Sequence, residues 1–291
     1  MRLVAASRPE GSSNQRYVAI MDDGSEVEAV VYRGDTLCIS SQVGCAVACP
    51  FCASGARGLG RALKLEELQF QLEGVEEEGH AITKVTLSGV GEPLHNHEAT
   101  SAFLEWGRSR DSRVAISLTT SGGPIARLRT WLHAPHNGLT ISVHAGREAT
   151  RKAVVPGGPS LDALFGCLRD EQPRMTRKRR KKTALAYLMV AGMNDSDDEL
   201  DAFSERVLAL PHPPAIHLYD LNPVPTSALK GVRRDRYEAA YARLREHGNV
   251  VRMSSAARLE ANGGCGTLVA LRVEKTRAER DATRQARTQT T

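Results

Sequence analysis

Residues 36–52 read TLCISSQVGCAVACPFC and join a short apolar segment to three closely spaced cysteines. The segment from Thr36 to Ser40 has the β-branched and apolar residues that are typical of a buried strand. Cys45, Cys49 and Cys52 follow, where a loop would leave that strand. Loops at the carboxyl ends of parallel strands bind ligands, so this stretch predicts an inorganic site on an α/β fold.

Segments rich in β-branched and apolar residues alternate with helical patterns along the rest of the chain. The six predicted strands run from Thr36 to Ser40, Ile82 to Ser88, Val114 to Leu118, Leu139 to Val143, Ala184 to Val190 and Ile216 to Leu221. Repeated strand-helix units require right-handed crossovers and a mainly parallel sheet. Six units are fewer than the eight of a closed barrel, so we predict an α/β fold with a partial (β/α)6 TIM-like barrel.

The chain divides into a short extension, one catalytic barrel and a tail. Residues 17–31, YVAIMDDGSEVEAVV, predict two strands around a turn at Asp23-Gly24, so residues 1–34 are assigned to an N-terminal β-hairpin extension. Residues 35–273 form the predicted barrel, in which the sequence PGGP at 156–159 indicates a mobile loop. Residues 274–291 are predicted to be a basic, disordered tail.

The charge balance is compatible with a polyanionic partner. Lys and Arg number 39 against 34 Asp and Glu, which gives a net charge of +5, and the isoelectric point is about 9.0. Seven of the nine residues from Arg174 to Lys182 are basic. This run is either a solvated surface or a contact for RNA phosphates. Aromatic residues make up only 4%, which disfavours a base-stacking platform for single strands.

The sequence also predicts the cellular compartment of the protein. No run approaches the roughly 18 apolar residues of a membrane span, and the start MRLVAASRPEGSSNQ lacks the apolar segment of a secretory signal. Six cysteines are too few for a disulfide scaffold in a chain of 291 residues. We therefore expect a cytoplasmic monomer with no membrane partner.

Three thiols within eight residues can surround one small inorganic centre. A structural zinc site needs four ligands and usually shows paired CxxC knuckles, and a ferredoxin supplies four cysteines to each cluster. Three cysteines would leave one iron of a four-iron cluster without a protein ligand, and an open metal position can bind substrate. A zinc knuckle completed by a distant His or Cys is the alternative interpretation.

The CxxxCxxC spacing of Cys45, Cys49 and Cys52 resembles the signature of the radical S-adenosylmethionine (SAM) superfamily. The resemblance implies that these cysteines hold one 4Fe-4S cluster, whose open iron binds the amino and carboxylate groups of SAM. Gly91 and Glu92 in LSGVGEPL match the turn that holds the methionine amino group in that superfamily. Without the cysteines, this segment would be interpreted as an ordinary strand-to-helix loop.

Six phrases resemble, in order, the RlmN/Cfr family of RNA adenine methyltransferases. They are CISSQVGCAVACPFC, SGVGEPL, LTTSG, ISVHA, LNPVP and GGCG, and they span residues 38–266. The residues that match cofactor contacts of the family are Gly91, Glu92, Ser121, Ser142, Val143, His144 and Asn222. Taken alone, His144 would be interpreted as a structural histidine and Asn222 as a turn residue.

The resemblance also implies a mechanism, because an electron-poor adenine carbon cannot attack the SAM methyl group directly. In the family, one SAM methylates a cysteine, matched here by Cys265, and a second SAM yields the 5'-deoxyadenosyl radical that activates this methyl group. Cys38 matches the thiol that releases the product and leaves a labile disulfide. Glu28 matches the glutamate that removes the ring proton. The implied substrate is an adenine, at C2 in preference to C8, in ribosomal or transfer RNA, with flavodoxin or ferredoxin as reductant.

Other interpretations stay open at this stage. Cys38 alone would be a small buried apolar residue of a strand, whereas Cys167, on an apolar helix face, is predicted to lie in the core. Relatives usually carry a helical domain before the barrel, and here 37 residues precede Cys38, so RNA would be held by the basic run, the hairpin and the tail. The alternative functions are a radical SAM enzyme that modifies a peptide or small molecule, and a non-catalytic metal-containing RNA-binding protein.

Overall fold

The computed structural model describes residues 1–6, 8, 11–111, 113–254 and 267. Its strands are β1 (Arg2–Ala5), β2 (Gln15–Ile20), β3 (Glu26–Tyr32), β4 (Thr36–Ile39), β5 (Gln42–Gly44), β6 (Leu59–Ala62), β7 (Lys84–Leu87), β8 (Ala115–Thr120), β9 (Gly138–Ser142), β10 (Thr183–Met189), β11 (Ala215–Asp220) and β12 (Val251–Met253). Its α helices are α1 (Leu65–Glu77), α2 (His97–Arg110), α3 (Ile125–His133), α4 (Glu148–Val154), α5 (Leu161–Glu171), α6 (Arg177–Lys181), α7 (Asp197–Leu208) and α8 (Arg234–Glu246).

The main sheet is mostly parallel. Strands β4, β7, β8, β9, β10, β11 and β12 lie side by side in that order, and each pair is parallel. All six predicted barrel strands are present with ends shifted by at most two residues, which confirms the α/β fold. The seventh parallel strand, β12, was missed because three residues are too few to show a hydrophobic period.

The predicted hairpin is confirmed and extends the same sheet. Strands β2 and β3 are antiparallel, and the turn between them is closed where the Gly24 N–H donates to the Met21 carbonyl at 2.9 Å. Gly24 has φ +79, a conformation that glycine adopts without strain. Strand β3 pairs with β4, and β1 pairs with β2, so the hairpin continues the barrel sheet. The predicted tail at 274–291 lies outside the described residues.

The two faces of the parallel sheet differ in polarity. Strand residues such as Leu37, Val85 and Ile116 are fully buried and pack in the core shared with the helices. Residues of the opposite face, which we call the inner face, include Thr86 and Ser117, and these are only half-buried. Parallel strands usually read as apolar on both faces. Hydroxyl groups on the inner face therefore indicate a surface that accommodates polar groups.

The helix predicted near Ser196 to Leu208 is confirmed as α7. The Ser196 hydroxyl caps it by accepting the Glu199 N–H at 3.3 Å, and three acidic residues lie in its first turn, next to the positive end of the helix dipole. Cys167 is buried in the core on α5, as predicted. Within the described part of the chain, no helix combines the length and apolarity that a membrane crossing needs.

His136 makes the stability of the fold depend on pH. Its side chain is buried against the Trp131 ring, and this burial, with the charge of Arg179 second, lowers the His136 pKa to about 4. A histidine that is neutral when folded and titrates near 6.5 when unfolded loses stability as the pH falls below 6.5. We expect His136→Phe to remove this component, which amounts to about 2 kcal/mol at pH 5 relative to pH 7.

Urea unfolding of the wild type and of His136→Phe at pH 7, 6 and 5 measures this component. The difference between the two free energies of unfolding should shift in favour of the variant as the pH falls. A difference that stays constant from pH 7 to pH 5 would contradict this account.

Candidate active site

The cysteine loop follows β4 and is shaped by the small hairpin of β5 and β6. The Cys45 N–H donates to the Gly58 carbonyl at 3.0 Å, and the Cys52 N–H donates to the Cys49 carbonyl at 3.0 Å. The thiols of Cys45, Cys49 and Cys52 all line one pocket. The structure therefore brings together the three cysteines that the sequence predicts as cluster ligands, and all three are free thiols.

Burial controls the protonation of these thiols. It raises the pKa of Cys45 to about 11, and it raises the pKa of Cys49 well above the ordinary value. The neighbouring thiol of Cys52 raises the pKa values of both further, because like charges repel. Metal binding requires thiolates, so loading this site would release protons.

The loop is held from outside by the PGGP segment. The Gly157 N–H donates to the Val47 carbonyl at 2.9 Å, and a Cβ at Gly157 would lie 2.7 Å from the Val47 Cα. Only glycine permits this approach. Ala48 has φ +54, which is uncommon for a residue other than glycine. The segment interpreted from sequence as a mobile loop thus packs directly against the cysteine loop.

The predicted turn at Gly91 and Glu92 links two strand ends. Gly91 has φ +107, and a Cβ there would lie 2.6 Å from the Gln42 Cβ, so the position requires glycine. The Glu92 carboxylate accepts the N–H groups of Leu94 at 3.1 Å and of Ser121 at 2.6 Å, and it also accepts the Thr120 hydroxyl. Glu92 also lines the pocket. A carboxylate has about four acceptor positions, so these contacts leave capacity for a ligand ammonium.

Arg151 on α4 organises the ends of β8 and β9. Its guanidinium donates to the carbonyl oxygens of Ser121 and Ser142, both at 2.7 Å, of Val143 at 2.9 Å and of Pro159 at 3.1 Å. Ser121 and Ser142 line the pocket, whereas the Val143 side chain is buried in the core. One side chain thus binds the backbone of three of the predicted cofactor positions, two of which line the pocket.

The charge of Arg151 bears on what the pocket can hold. The side chain is 1% exposed, and none of the ion pairs within the described residues includes it. Burial lowers the pKa of Arg151 to about 10, although the charges of Cys49, Glu148 and Glu92 oppose this shift. A buried charge without a close ion-pair partner is costly. The Arg151 charge favours the thiolate form of Cys49, although burial outweighs it. Three thiolates would supply negative charge here, so the residues present fit an iron-sulfur cluster.

The donor set differs from that of a zinc site. Among the described residues, no three His, Cys, Asp or Glu side chains are grouped to hold a single metal ion. In a four-iron cluster the protein thiolates bind separate irons, so cysteines around one pocket need not converge on one point. The pocket opens to solvent beside the cysteines, and its empty volume of about 1060 Å³ includes that open solvent.

His144 lines the pocket in a strained conformation. Its φ is +57, and its backbone is fixed where its carbonyl accepts the Asn194 side-chain N–H at 2.8 Å. Its Nδ1 accepts the Leu188 N–H at 2.9 Å, and its ring packs edge-on against Phe51. Burial lowers the pKa of His144 to about 3, so the ring is neutral. His144 therefore makes the contacts of a structural histidine and also lines the pocket.

The opposite wall of the pocket follows β11. The predicted residue Asn222 lies there with Tyr219 and Asp220, which sequence reasoning missed. Burial raises the pKa of Asp220. Tyr219 and Asp220 lie at the end of a predicted parallel strand. This position could have identified them as pocket residues, because ligands bind at such strand ends. Arg151 was missed as well, since nothing in a helical pattern marks a buried arginine.

Cys38 and Glu28 lie on the inner face beside the pocket. The Cys38 thiol is buried against Val30, and its Sγ is 3.2 Å from the hydroxyl of Ser88, which lines the pocket. Val30 is directly opposite Cys38, and Glu28 is two residues before Val30, so Glu28 faces the same side. The Glu28 carboxylate is buried, with Arg16 at 3.8 Å. Cys265 lies outside the described residues.

The fold and the three-thiol pocket together define a class of enzyme. The family model described as "Radical SAM superfamily" matches residues 39–204. A structure described as a radical SAM methyltransferase from Sphaerobacter thermophilus superposes with a TM-score of 0.78 and 26% identity, covering 92% of this chain and 81% of that one. The chain belongs to the radical SAM superfamily.

Curated relatives narrow the assignment. A dual-specificity RNA methyltransferase RlmN from Sorangium cellulosum is 35% identical over 81% of this chain, which spans 62% of that relative's length. One of the same name from Halorhodospira halophila is 30% identical, covering 91% of this chain and 76% of the relative. Within the superfamily, this chain is a member of the RlmN/Cfr family.

Substituting Arg151 should lower the free energy of unfolding, because it removes hydrogen bonds from the interior of the site. Arg151→Met leaves four carbonyl oxygens without their charged donor, and we expect it to lower the free energy of unfolding by on the order of 3 kcal/mol. Arg151→Lys should recover only part of this, because one ammonium cannot match the planar guanidinium. The neighbouring exposed Lys152→Met is the control and should change stability by less than about 0.5 kcal/mol. Urea unfolding measures all three, and a fully stable Arg151→Met would contradict this role.

Proposed function

We propose that this chain is a radical SAM RNA methyltransferase that methylates an adenine carbon, C2, in ribosomal or transfer RNA. The observation that carries the proposal is one pocket lined by the three cluster-type cysteines and by six of the seven predicted SAM-contact residues, with Cys38 on the adjoining inner face. The printed names of the relatives, RNA methyltransferases, support RNA as the substrate.

The described residues divide the cofactor site into two parts. Cys45, Cys49 and Cys52 would hold one 4Fe-4S cluster, and Glu92 offers its carboxylate to the amino group of SAM. The other predicted SAM contacts in the pocket are Gly91, Ser121, Ser142, His144 and Asn222. When bound, the cluster and two SAM molecules per turnover supply the transferable methyl group and the radical that activates it.

Cys38 is the proposed residue that releases the product. In the proposed step, its thiolate bonds to the sulfur of Cys265, the carbon–sulfur bond to the RNA adduct breaks, and the methylene carbon keeps the electron pair and takes up a proton to become the methyl group. The resulting disulfide needs two electrons from a reductant before the next turnover. The Ser88 hydroxyl at 3.2 Å can donate a hydrogen bond to the Cys38 thiolate, which an apolar site alone would disfavour.

Glu28 is the proposed base for the ring proton. It lies on the same face of the sheet as Cys38, one diagonal position away across β3 and β4. The nearby guanidinium of Arg16 can stabilise the carboxylate charge before proton transfer. We further propose that the protein is cytoplasmic and monomeric and that flavodoxin or ferredoxin supplies its electrons.

The chemistry of the RNA product tests this function. RNA from cells that lack the gene should lose 2-methyladenosine, as measured by mass spectrometry of nucleosides, and the wild-type gene should restore it. Genes encoding Cys265→Ala or Cys38→Ala should not restore it, because each lacks one sulfur of the proposed pair. The buried Cys167→Ala is the matched control and should restore methylation.

Other outcomes separate the alternatives. Loss of 8-methyladenosine instead would move the reaction to C8. Unchanged nucleosides in the deletion strain, or full methylation by Cys265→Ala, would contradict the proposed function and favour a peptide or small-molecule substrate.

A further inference from the structure

Residues 177–181 of the basic run form α6, and Lys182 follows as its C-cap, whereas Arg174 lies before the helix and pairs with Glu171. The cations at 177–182 divide into two groups. Arg179 and Arg180 point inward, where their Nη1 atoms donate to the carbonyl oxygens of Ala134 at 2.7 Å and of Met175 at 2.6 Å. The Thr176 hydroxyl caps the helix by accepting the Arg179 N–H at 3.3 Å. These contacts fix α6 to the body of the protein and account for two of its cations.

The remaining cations have no structural use that the fold explains. Arg177, Lys178, Lys181 and Lys182 are exposed, and none of the ion pairs in the described part of the chain includes them. They form two like-charge pairs at i,i+4, 177 with 181 and 178 with 182, a spacing at which like charges repel.

Exposed arginines of α8 and its N-cap behave differently. Arg233 pairs with Asp235, and Arg234 pairs with Glu238 at 2.6 Å. Arg243 on the same helix pairs with Asp201 at 2.6 Å. Three of the four arginines on α8 are therefore neutralised by carboxylates of the protein itself, and the fourth, Arg245, lies over the Tyr241 ring. The outward cations of α6 are left for another partner.

A neighbouring helix adds to the same positive surface. Arg108 on α2 is exposed and donates to the Pro135 carbonyl at 2.9 Å, next to the residue whose carbonyl Arg179 binds. Burial is the main cause that lowers the pKa of Arg179, and the charge of Arg108 is the second. The two guanidinium groups are therefore close enough to repel each other. We call the set of Arg108, Arg177, Lys178, Lys181 and Lys182 the amino-edge basic surface.

This surface lies at the opposite end of the sheet from the pocket. Residue 182 directly precedes β10, whereas Leu188, near the carboxyl end of β10, lines the pocket. Along β10, the six residues from Lys182 to Leu188 span about 20 Å, and the four residues to Ala186, which also lines the pocket, span about 13 Å. An RNA segment that extends from a nucleotide in the pocket can cover this distance.

We infer that the amino-edge basic surface binds the phosphate backbone of a structured segment of RNA while the target base enters the pocket at the other end of the sheet. The inference rests on the proposed function. The surface offers charge without an aromatic side chain, so it suits phosphates and not unstacked bases. An acidic electron-transfer protein fits it less well, because docking there would place the donor at the end of the sheet far from the cysteines.

Salt-dependent binding tests the inference. The probe is a fluorescent 20-base-pair RNA duplex, titrated with the full chain between 50 and 200 mM KCl. The slope of the logarithm of the association constant against the logarithm of the KCl concentration measures phosphate contacts. In the variant R177Q/K178Q/K181Q/K182Q this slope should fall in magnitude by about 3 to 4, because each lost phosphate contact contributes about 0.9. The control R2Q/R233Q/R234Q/R245Q removes the same charge from other exposed positions and should change the slope by less than about 1.

The outcomes are distinct. Equal slopes for the α6 variant and the wild type, or equal losses in both variants, would overturn the inference. SAM cleavage should be the same in the wild type and the α6 variant with either dithionite or flavodoxin as reductant. A loss with flavodoxin alone would show that the surface docks an electron carrier, which also overturns the inference. If duplex binding depends on the amino-edge basic surface but the protein yields no methylated adenosine, the proposed function is refuted and the RNA-binding surface still stands.

Discussion

Arg151 places a buried positive charge behind three cysteine thiols and donates hydrogen bonds to four carbonyl oxygens. A guanidinium can be buried in this way only if its donors are satisfied and an opposite charge lies near. The carbonyls come from the ends of β8 and β9 and from the loop that packs on the cysteines. The same contacts therefore shape the pocket, orient three predicted cofactor positions and leave a positive charge that thiolates can balance.

The polarity of the sheet explains how substrate chemistry could take place on this scaffold. One face is packed with aliphatic side chains against the helices, and the inner face presents hydroxyl groups that lead to the pocket. Cys38 and Glu28 belong to this inner face. An adenine that enters along this face would meet the proposed catalytic groups of Cys38 and Glu28 on one side and the cysteine loop on the other.

Much of this organisation could be predicted from sequence because it rests on local patterns. The spacing of Cys45, Cys49 and Cys52 marks a metal site within eight residues, and β-branched runs mark the strands whose ends gather the ligands. Arg151 could not be predicted, since its role depends on carbonyls that are distant in sequence and meet only in the fold. The packing of Gly157 on Val47 depends likewise on tertiary contact, and a PGGP segment seen alone indicates only a loop.

In the proposed holoenzyme, Cys45, Cys49 and Cys52 hold a four-iron cluster with one iron left for SAM. Mössbauer spectroscopy of the protein reconstituted anaerobically with iron-57 measures each iron environment directly. Adding SAM should change the signal of one iron in four and leave the other three unchanged. Four iron signals that do not respond to SAM, or a protein that takes up zinc and assembles no cluster, would contradict it.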